Sequence, residues 1–221
     1  DVDVLSASVL DDTVAWYENN GNQFFTARVV TATSDGASSV RAVDLDGDAD
    51  VDVISAAAID NAVIWHENDG LQSFTEVSLT SSATGAYGLY LADVDRDDDQ
   101  DILLASHGDD TIRWFDNDGE NMFGVYEIAE RVITVAADYA ASVFALDIDG
   151  DADTDVLSAS YNDDTVSWFE NDGSQSFTER IISTLADGVW SVFALDVDGD
   201  GDGDVFSASE NDDSVVWYEN D

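Results

Sequence analysis

The chain of 221 residues contains no cysteine, no proline and no lysine. Without cysteine there is no disulfide framework, no zinc-thiolate site and no thiol nucleophile. Arginine supplies all six basic residues, against 50 Asp and Glu, for a formal charge of −44 at pH 7. That balance excludes a nucleic-acid partner, because binding a phosphate backbone needs a basic footprint. Anionic membrane surfaces are disfavoured for the same reason. No apolar run is long enough to span a bilayer, so direct membrane insertion is not expected. No signal peptide is recognised either, which carries little weight in a chain that starts inside a motif.

What is abundant is aspartate in a fixed register. The stretch Asp44-Leu-Asp46-Gly-Asp48-Ala-Asp50-Val-Asp52 puts an aspartate at every second position for nine residues. The pattern recurs at Asp93–Asp101, Asp147–Asp155 and Asp196–Asp204, and Asp1-Val-Asp3 lines up with Asp50-Val-Asp52 as a partial copy. Carboxylates this close repel one another in a folded loop unless a cation sits among them. A hard cation with oxygen ligands answers that need. Calcium is preferred over magnesium, which demands octahedral geometry and keeps its waters. The other acidic residues read as a solvated surface of the kind salt-adapted proteins carry. Hydrophobic residues make up 44%, too many for a disordered acidic tail.

The chain is also a repeat. Trp16, Trp65, Trp114, Trp168 and Trp217 are spaced 49, 49, 54 and 49 residues apart, as are Asp3, Asp52, Asp101, Asp155 and Asp204. The unit is therefore 49 residues with one insertion of five, expected between Ile128 and Ser142. Each unit predicts four short strands. The first, such as Val143-Phe-Ala-Leu146, is apolar throughout and suits a strand covered on both faces. The second, such as Val156-Leu-Ser-Ala-Ser160, is built of small residues, and the third carries the tryptophan. An Asn-Asp-Gly turn leads to a fourth strand of mixed polarity, Phe177 to Ile181. No segment has a helical period. Sheets with one buried and one exposed edge, repeated every 40 to 50 residues, mark propeller blades. The expected fold class is all-β, a β-propeller of four-stranded antiparallel blades. Five second and third strands but four first and fourth strands give 18 strands, about four and a half blades, in a single repeat domain of residues 1–221. An open count of this kind reads as part of a larger propeller, or as one completed by another segment or a neighbouring chain.

The acidic loop between two such strands resembles the FG-GAP/VCBS repeat, the blade of integrin-α-type β-propellers. That family's loop has Asp or Asn at positions one, three and five, glycine at four and six, and Asp at nine. Gly47, Gly150 and Gly199 match position four and Gly201 matches position six. The third loop departs, with Arg96 and Asp98 in those places. The resemblance implies Ca2+ in each complete loop and a non-enzymatic binding or adhesive role. It turns Asp44, Asp46, Asp48 and Asp52 inward and adds an oxygen from the carbonyl of Asp50. The same roles fall to Asp93, Asp95, Asp97, Asp99 and Asp101, to Asp147, Asp149, Asp151, Asp153 and Asp155, and to Asp196, Asp198, Asp200, Asp202 and Asp204. In the third loop Arg96 either replaces part of the metal's charge or points to solvent.

The repeated tryptophans, each followed by Tyr17, His66, Phe115, Phe169 or Tyr218, are expected to pack between adjacent blades; sugar stacking is the rival role. His66 and His107 lie in different repeats without a partner pattern and read as incidental. Positions filled alike in every blade point to scaffolding, so no enzyme activity is expected. The places where the repeat breaks are the third loop and the stretch Glu130 to Tyr139, with Arg131 and Tyr139, and a special binding site is expected there first. The expected function is a calcium-stabilised extracellular or cell-surface module for adhesion or protein assembly, with a protein or glycan ligand. A lectin-like propeller is the alternative, and a propeller glycosidase or lyase a weaker one.

Overall fold

The computed structural model describes residues 2–120 and 126–220, and every regular element among them is a strand. Two compact units divide the chain, residues 1–89 and 90–221. The first unit holds β1 (Val4–Ser8), β2 (Thr13–Asn19) and β3 (Phe25–Thr31), then β4 (Ala37–Val43), β5 (Asp52–Ala57), β6 (Ala62–Asn68) and β7 (Phe74–Thr80). β8 (Ala86–Ala92) spans the division. The second unit continues with β9 (Asp101–Ser106), β10 (Thr111–Glu120) and β11 (Tyr126–Thr134), then β12 (Ala140–Leu146), β13 (Asp155–Ser160), β14 (Thr165–Asn171) and β15 (Phe177–Ser183). It ends with β16 (Val189–Leu195), β17 (Asp204–Ser209) and β18 (Ser214–Tyr218). These 18 strands form five antiparallel sheets in sequential order: three strands at each end of the chain and four in each of the other sheets. The expected strand count and blade pattern are thus observed.

Burial within a blade differs in one respect from the sequence expectation. The small-residue second strand is the most enclosed: β5, β9 and β13 are buried at every position. The first strand is only partly buried: β12 alternates, and β4 and β8 are half-buried along most of their length. The reason is position in the sheet, since the second strand has a paired neighbour on both sides while the first is an edge. Ser and Ala let flanking strands and sheets approach it closely. The fourth strand is exposed as expected; β15 is open along most of its length. Between sheets, Leu157, Val166, Val189, Val192 and Val205 form one core layer, and Leu103, Ile112, Trp114, Val156 and Phe169 another. In the first unit Val14, Ala37 and Val53 play that part.

The insertion lies elsewhere than expected. In β6–β7 Asn68 pairs with Phe74, whereas in β10–β11 Asn117 pairs with Ile128. Ile128 therefore occupies the Phe74 position. The five extra residues fall between Asn117 and Ile128, and part of that interval, 121–125, is outside the described residues.

Candidate metal centres and an aromatic cluster

Each acidic stretch is the loop joining the first and second strands of a sheet. The four loops share one ladder of side chain to backbone bonds. The aspartate at position one accepts from the amide at position six: Ala49 to Asp44 at 3.0 Å, Asp98 to Asp93 at 3.1 Å, Ala152 to Asp147 at 3.0 Å and Gly201 to Asp196 at 3.2 Å. Asp48, Asp97, Asp151 and Asp200 at position five accept from the amides of Asp50, Asp99, Asp153 and Asp202 at 2.8 to 3.0 Å. Wrapping the backbone this tightly requires positive φ at positions four and six. Gly47, Gly150 and Gly199 meet it at position four, but Arg96 adopts φ 68° there, and Ala49, Asp98 and Ala152 adopt 76 to 78° at position six. Left-handed backbone costs a non-glycine residue about 1–2 kcal/mol, so the loops hold strain that the carboxylate ladder must offset.

The aspartate at position nine has a second task. Asp52, Asp101, Asp155 and Asp204 are buried, and each bonds in two directions. One oxygen accepts from the position-two amide of its own loop, Leu45, Val94, Ile148 or Val197, at 2.8 to 3.2 Å. The other accepts from the amide of Asn68, Asn117, Asn171 or Asn220 in the third strand or just after it, at 2.8 to 3.0 Å. Asp3 repeats this with Asn19 and also accepts from the Trp16 indole at 2.9 Å; its companion Asp1 lies outside the described residues. Burial pushes Asp101 up to about 7 and Asp155 up to about 6, against bonds from Asn117 and Asn171 that hold them down. Asp204 goes the other way, held low by the Asn220 and Val197 amides.

Carboxylate oxygens lie within 4.8 Å of one another in five groups: Asp44, Asp46 and Asp48; Asp93, Asp95 and Asp101; Asp147, Asp149 and Asp155; Asp196, Asp198 and Asp204; and Asp95, Asp97 and Asp118. Burial, then neighbouring negative charge, raises Asp46 and Asp95 to about 6. Asp44 and Asp95 each keep a buried carboxylate oxygen with no hydrogen-bond partner. Orphaned oxygens converging with other carboxylates form an all-oxygen donor set that fits a hard cation. These clusters can bind a metal.

Position seven has a different use. Side chains of Asp50, Asp99 and Asp153 lie against Gly70, Gly119 and Gly173 of the Asn-Asp-Gly turns, where an added Cβ would overlap the carboxylate. None of the three belongs to a carboxylate group. Arg96 does not turn into its own loop; Nη1 reaches Asp153 of the following loop at 2.9 Å. Asp118, which joins Asp95 and Asp97, was not singled out by sequence reasoning. Its only signal was the Asn-Asp-Gly turn it sits in.

Trp65 and Trp114 are buried, and Trp114 meets Phe177 of the next sheet edge-on at 6.2 Å, which is the expected packing role. Trp217 is 45% exposed. Arg131 lies 5.2 Å over Trp114 and pairs with buried Asp116, a structural placement. Ser55 Oγ lies 2.9 Å from His66 Nε2, with Glu76 3.8 Å from Nδ1, a serine–histidine–carboxylate order. Ser55 and His66 are both fully buried, so no substrate reaches that hydroxyl.

His107 has a partner that the sequence did not reveal. Its ring stacks on Tyr139 at 4.6 Å, and Tyr139 lies 5.5 Å from Tyr161 and 6.1 Å from Trp190. Tyr161 and Trp190 meet edge-on at 5.3 Å. All four rings are partly exposed. The signal for Tyr139 was the repeat itself: Gly36, Gly85 and Gly188 occupy the same place in the other sheets.

Sheets of this form, with an acidic loop between the first and second strands, define a β-propeller repeat protein. Four overlapping matches to the FG-GAP-like repeat cover residues 1–55, 44–104, 93–158 and 147–207, and the chain belongs to that family. Comparison with curated protein sequences finds no match. Solved structures with a similar fold include a lectin of Agrocybe aegerita that recognises non-reducing terminal N-acetylglucosamine, with TM-score 0.58 and 18% identity. The biofilm matrix protein Bap1 of V. cholerae gives 0.57 and 19%, and virginiamycin B lyase of Staphylococcus aureus 0.59 and 12%. The alignments cover 93%, 99% and 98% of this chain but 60%, 37% and 66% of those proteins.

Proposed function

We propose that the chain is a calcium-stabilised, non-enzymatic binding module of an extracellular or cell-surface protein, used for adhesion or assembly. The observation that carries it is the identical ladder in four loops, with converging carboxylates and orphaned oxygens at Asp44 and Asp95. Asp44, Asp46, Asp48 and Asp52, with their counterparts in the other loops, would hold the ion. The side chains of Asp50, Asp99 and Asp153 lie against the Asn-Asp-Gly turns, so their backbone carbonyls are the groups assigned to the ion, and the carbonyl of Asp202 is given the same role. When bound, the ion supplies the positive charge that lets the carboxylates stay ionised together. Extracellular calcium is plentiful enough to fill weak sites. Bap1's place in a biofilm matrix supports a role in assembly by analogy of fold.

Calcium at about a hundredfold over its Kd stabilises one site by about 2.7 kcal/mol. For a chain of this size that is a rise of about 5–10 °C in Tm. Thermal unfolding in millimolar calcium is therefore expected to lie well above unfolding in excess chelator, with magnesium replacing little of the difference. Superimposable melting curves would sink the calcium reading. A second reading, glycan binding, is favoured by the partly exposed aromatic cluster and by the sugar recognised by the Agrocybe lectin.

A further inference from the structure

We infer that His107, Tyr139, Tyr161 and Trp190 form a binding platform for a neutral saccharide. The inference rests on the glycan-binding reading and gives it a location. Tyr139 is the starting point. It occupies, at φ 57°, the place filled by Gly36, Gly85 and Gly188 at 66 to 72°. The backbone task there needs no ring: Tyr139 donates its N–H to Asp110 at 2.9 Å, just as the glycines donate to Asp12, Asn61 and Asp164. A bulky residue in left-handed backbone is an outlier that directs attention to function. What the strain secures is a ring between His107 and the Tyr161–Trp190 pair.

The four rings come from three successive sheets of the second unit: the turn after β9, the approach to β12, the turn after β13, and β16. Beside Trp190 lies an open depression of about 470 Å³ with Ala208, Ser209 and Glu210 on its walls, within the range of small-molecule sites. Polar side chains next to the rings are held in place by bonds to one another. Asn162 donates to Asp138 at 2.9 Å, Asn211 donates to Asp187 at 3.1 Å, and the Tyr161 hydroxyl bonds Asn211 at 3.3 Å. Apolar C–H faces of a pyranose match aromatic faces, and its hydroxyls match amides and carboxylates that can accept or donate. The surrounding carboxylates repel an acidic sugar. Ring centroids 4.6 to 6.1 Å apart mean that the aromatics pack on one another and leave no cage for an ammonium ion.

The test uses the full chain with calcium present. Calorimetry and tryptophan fluorescence are run against neutral oligosaccharides of glucose, galactose, mannose and N-acetylglucosamine, with N-acetylneuraminate and choline as charged probes. Tyr139→Gly restores the residue of the other repeats and is expected to leave Tm unchanged or raised. The expected result is binding of a neutral saccharide that Tyr139→Gly and Trp190→Ala each weaken at least about tenfold. Saccharide binding that both variants retain in full overturns the platform but leaves the glycan reading standing elsewhere on the chain. No neutral saccharide bound by the unaltered protein overturns both. Binding of N-acetylneuraminate or choline alone overturns the assignment to neutral sugars.

Discussion

Single residues in this fold serve two neighbours at once. Gly173 has φ 70° and its missing side chain leaves room for the carboxylate of Asp153. Gly173→Ala therefore meets backbone strain and a clash together. Its expected cost is about 1–2 kcal/mol from backbone alone, with the clash in addition, read by urea unfolding. Repeating the substitution in an Asp153→Ala background should recover the steric part and leave the backbone part. An equal loss in both backgrounds shows that the contact does not matter. Asp155 is a similar double agent, since its two oxygens tie loop to third strand. Sequence alone marked it as a ligand and gave no hint of that second bond, because the amide it captures lies 16 residues away.

At the scale of the element, the acidic loop is a strained hairpin held by its own side chains. Ala49 and Ala152 occupy left-handed backbone where the fourth loop has Gly201. Replacing both with glycine is expected to stabilise the protein by about 1 kcal/mol per site, measured in chelator so that ion binding does not mask the gain. A loss of stability would mean that the alanine side chains pack usefully. The loops were the most legible part of the chain. Alternating aspartates and a fixed period announced hairpin and register together. The tryptophan strand was legible too, because a large aromatic recurring every 49 or 54 residues has few places to go but between sheets. Two features were hidden. The extra residues were hard to place because Phe123 follows Gly119 by four residues, as Phe74 follows Gly70, and only the pairing of Asn117 with Ile128 resolves the register. His107 and Tyr139 lie 32 residues apart, and nothing local signals that two turns will stack their rings.

At the scale of the whole molecule, charge governs behaviour. Asp46, Asp95, Asp101 and Asp155 have folded pKa values of about 6, 6, 7 and 6, above the ordinary carboxylate value, chiefly through burial. A raised carboxyl pKa stabilises the fold most when the group is protonated. That contribution is present below about pH 4 and is lost as pH rises through 6 to 7. In chelator, stability is accordingly expected to fall as pH rises from about 4 to 7. Added calcium is expected to reverse the trend, since its ligands must be ionised, with affinity dropping as pH falls below about 6. Denaturant midpoints at several pH values with and without calcium check both arms, and parallel curves would contradict the shared role of these carboxylates.

The side chain of Asn171 donates to the carbonyl of Val94, and that of Asn220 to the carbonyl of Ile148, at 3.3 and 2.9 Å. Each joins one sheet to the loop of an earlier one. The two partners are separated by 77 residues in the first case and 72 in the second, a difference equal to the insertion. The joint is therefore indifferent to what happens along the intervening outer hairpin. Gene duplication or loss of one 49-residue unit carries a complete donor and a complete acceptor with it. At these two seams, gain or loss of a unit leaves the joint intact.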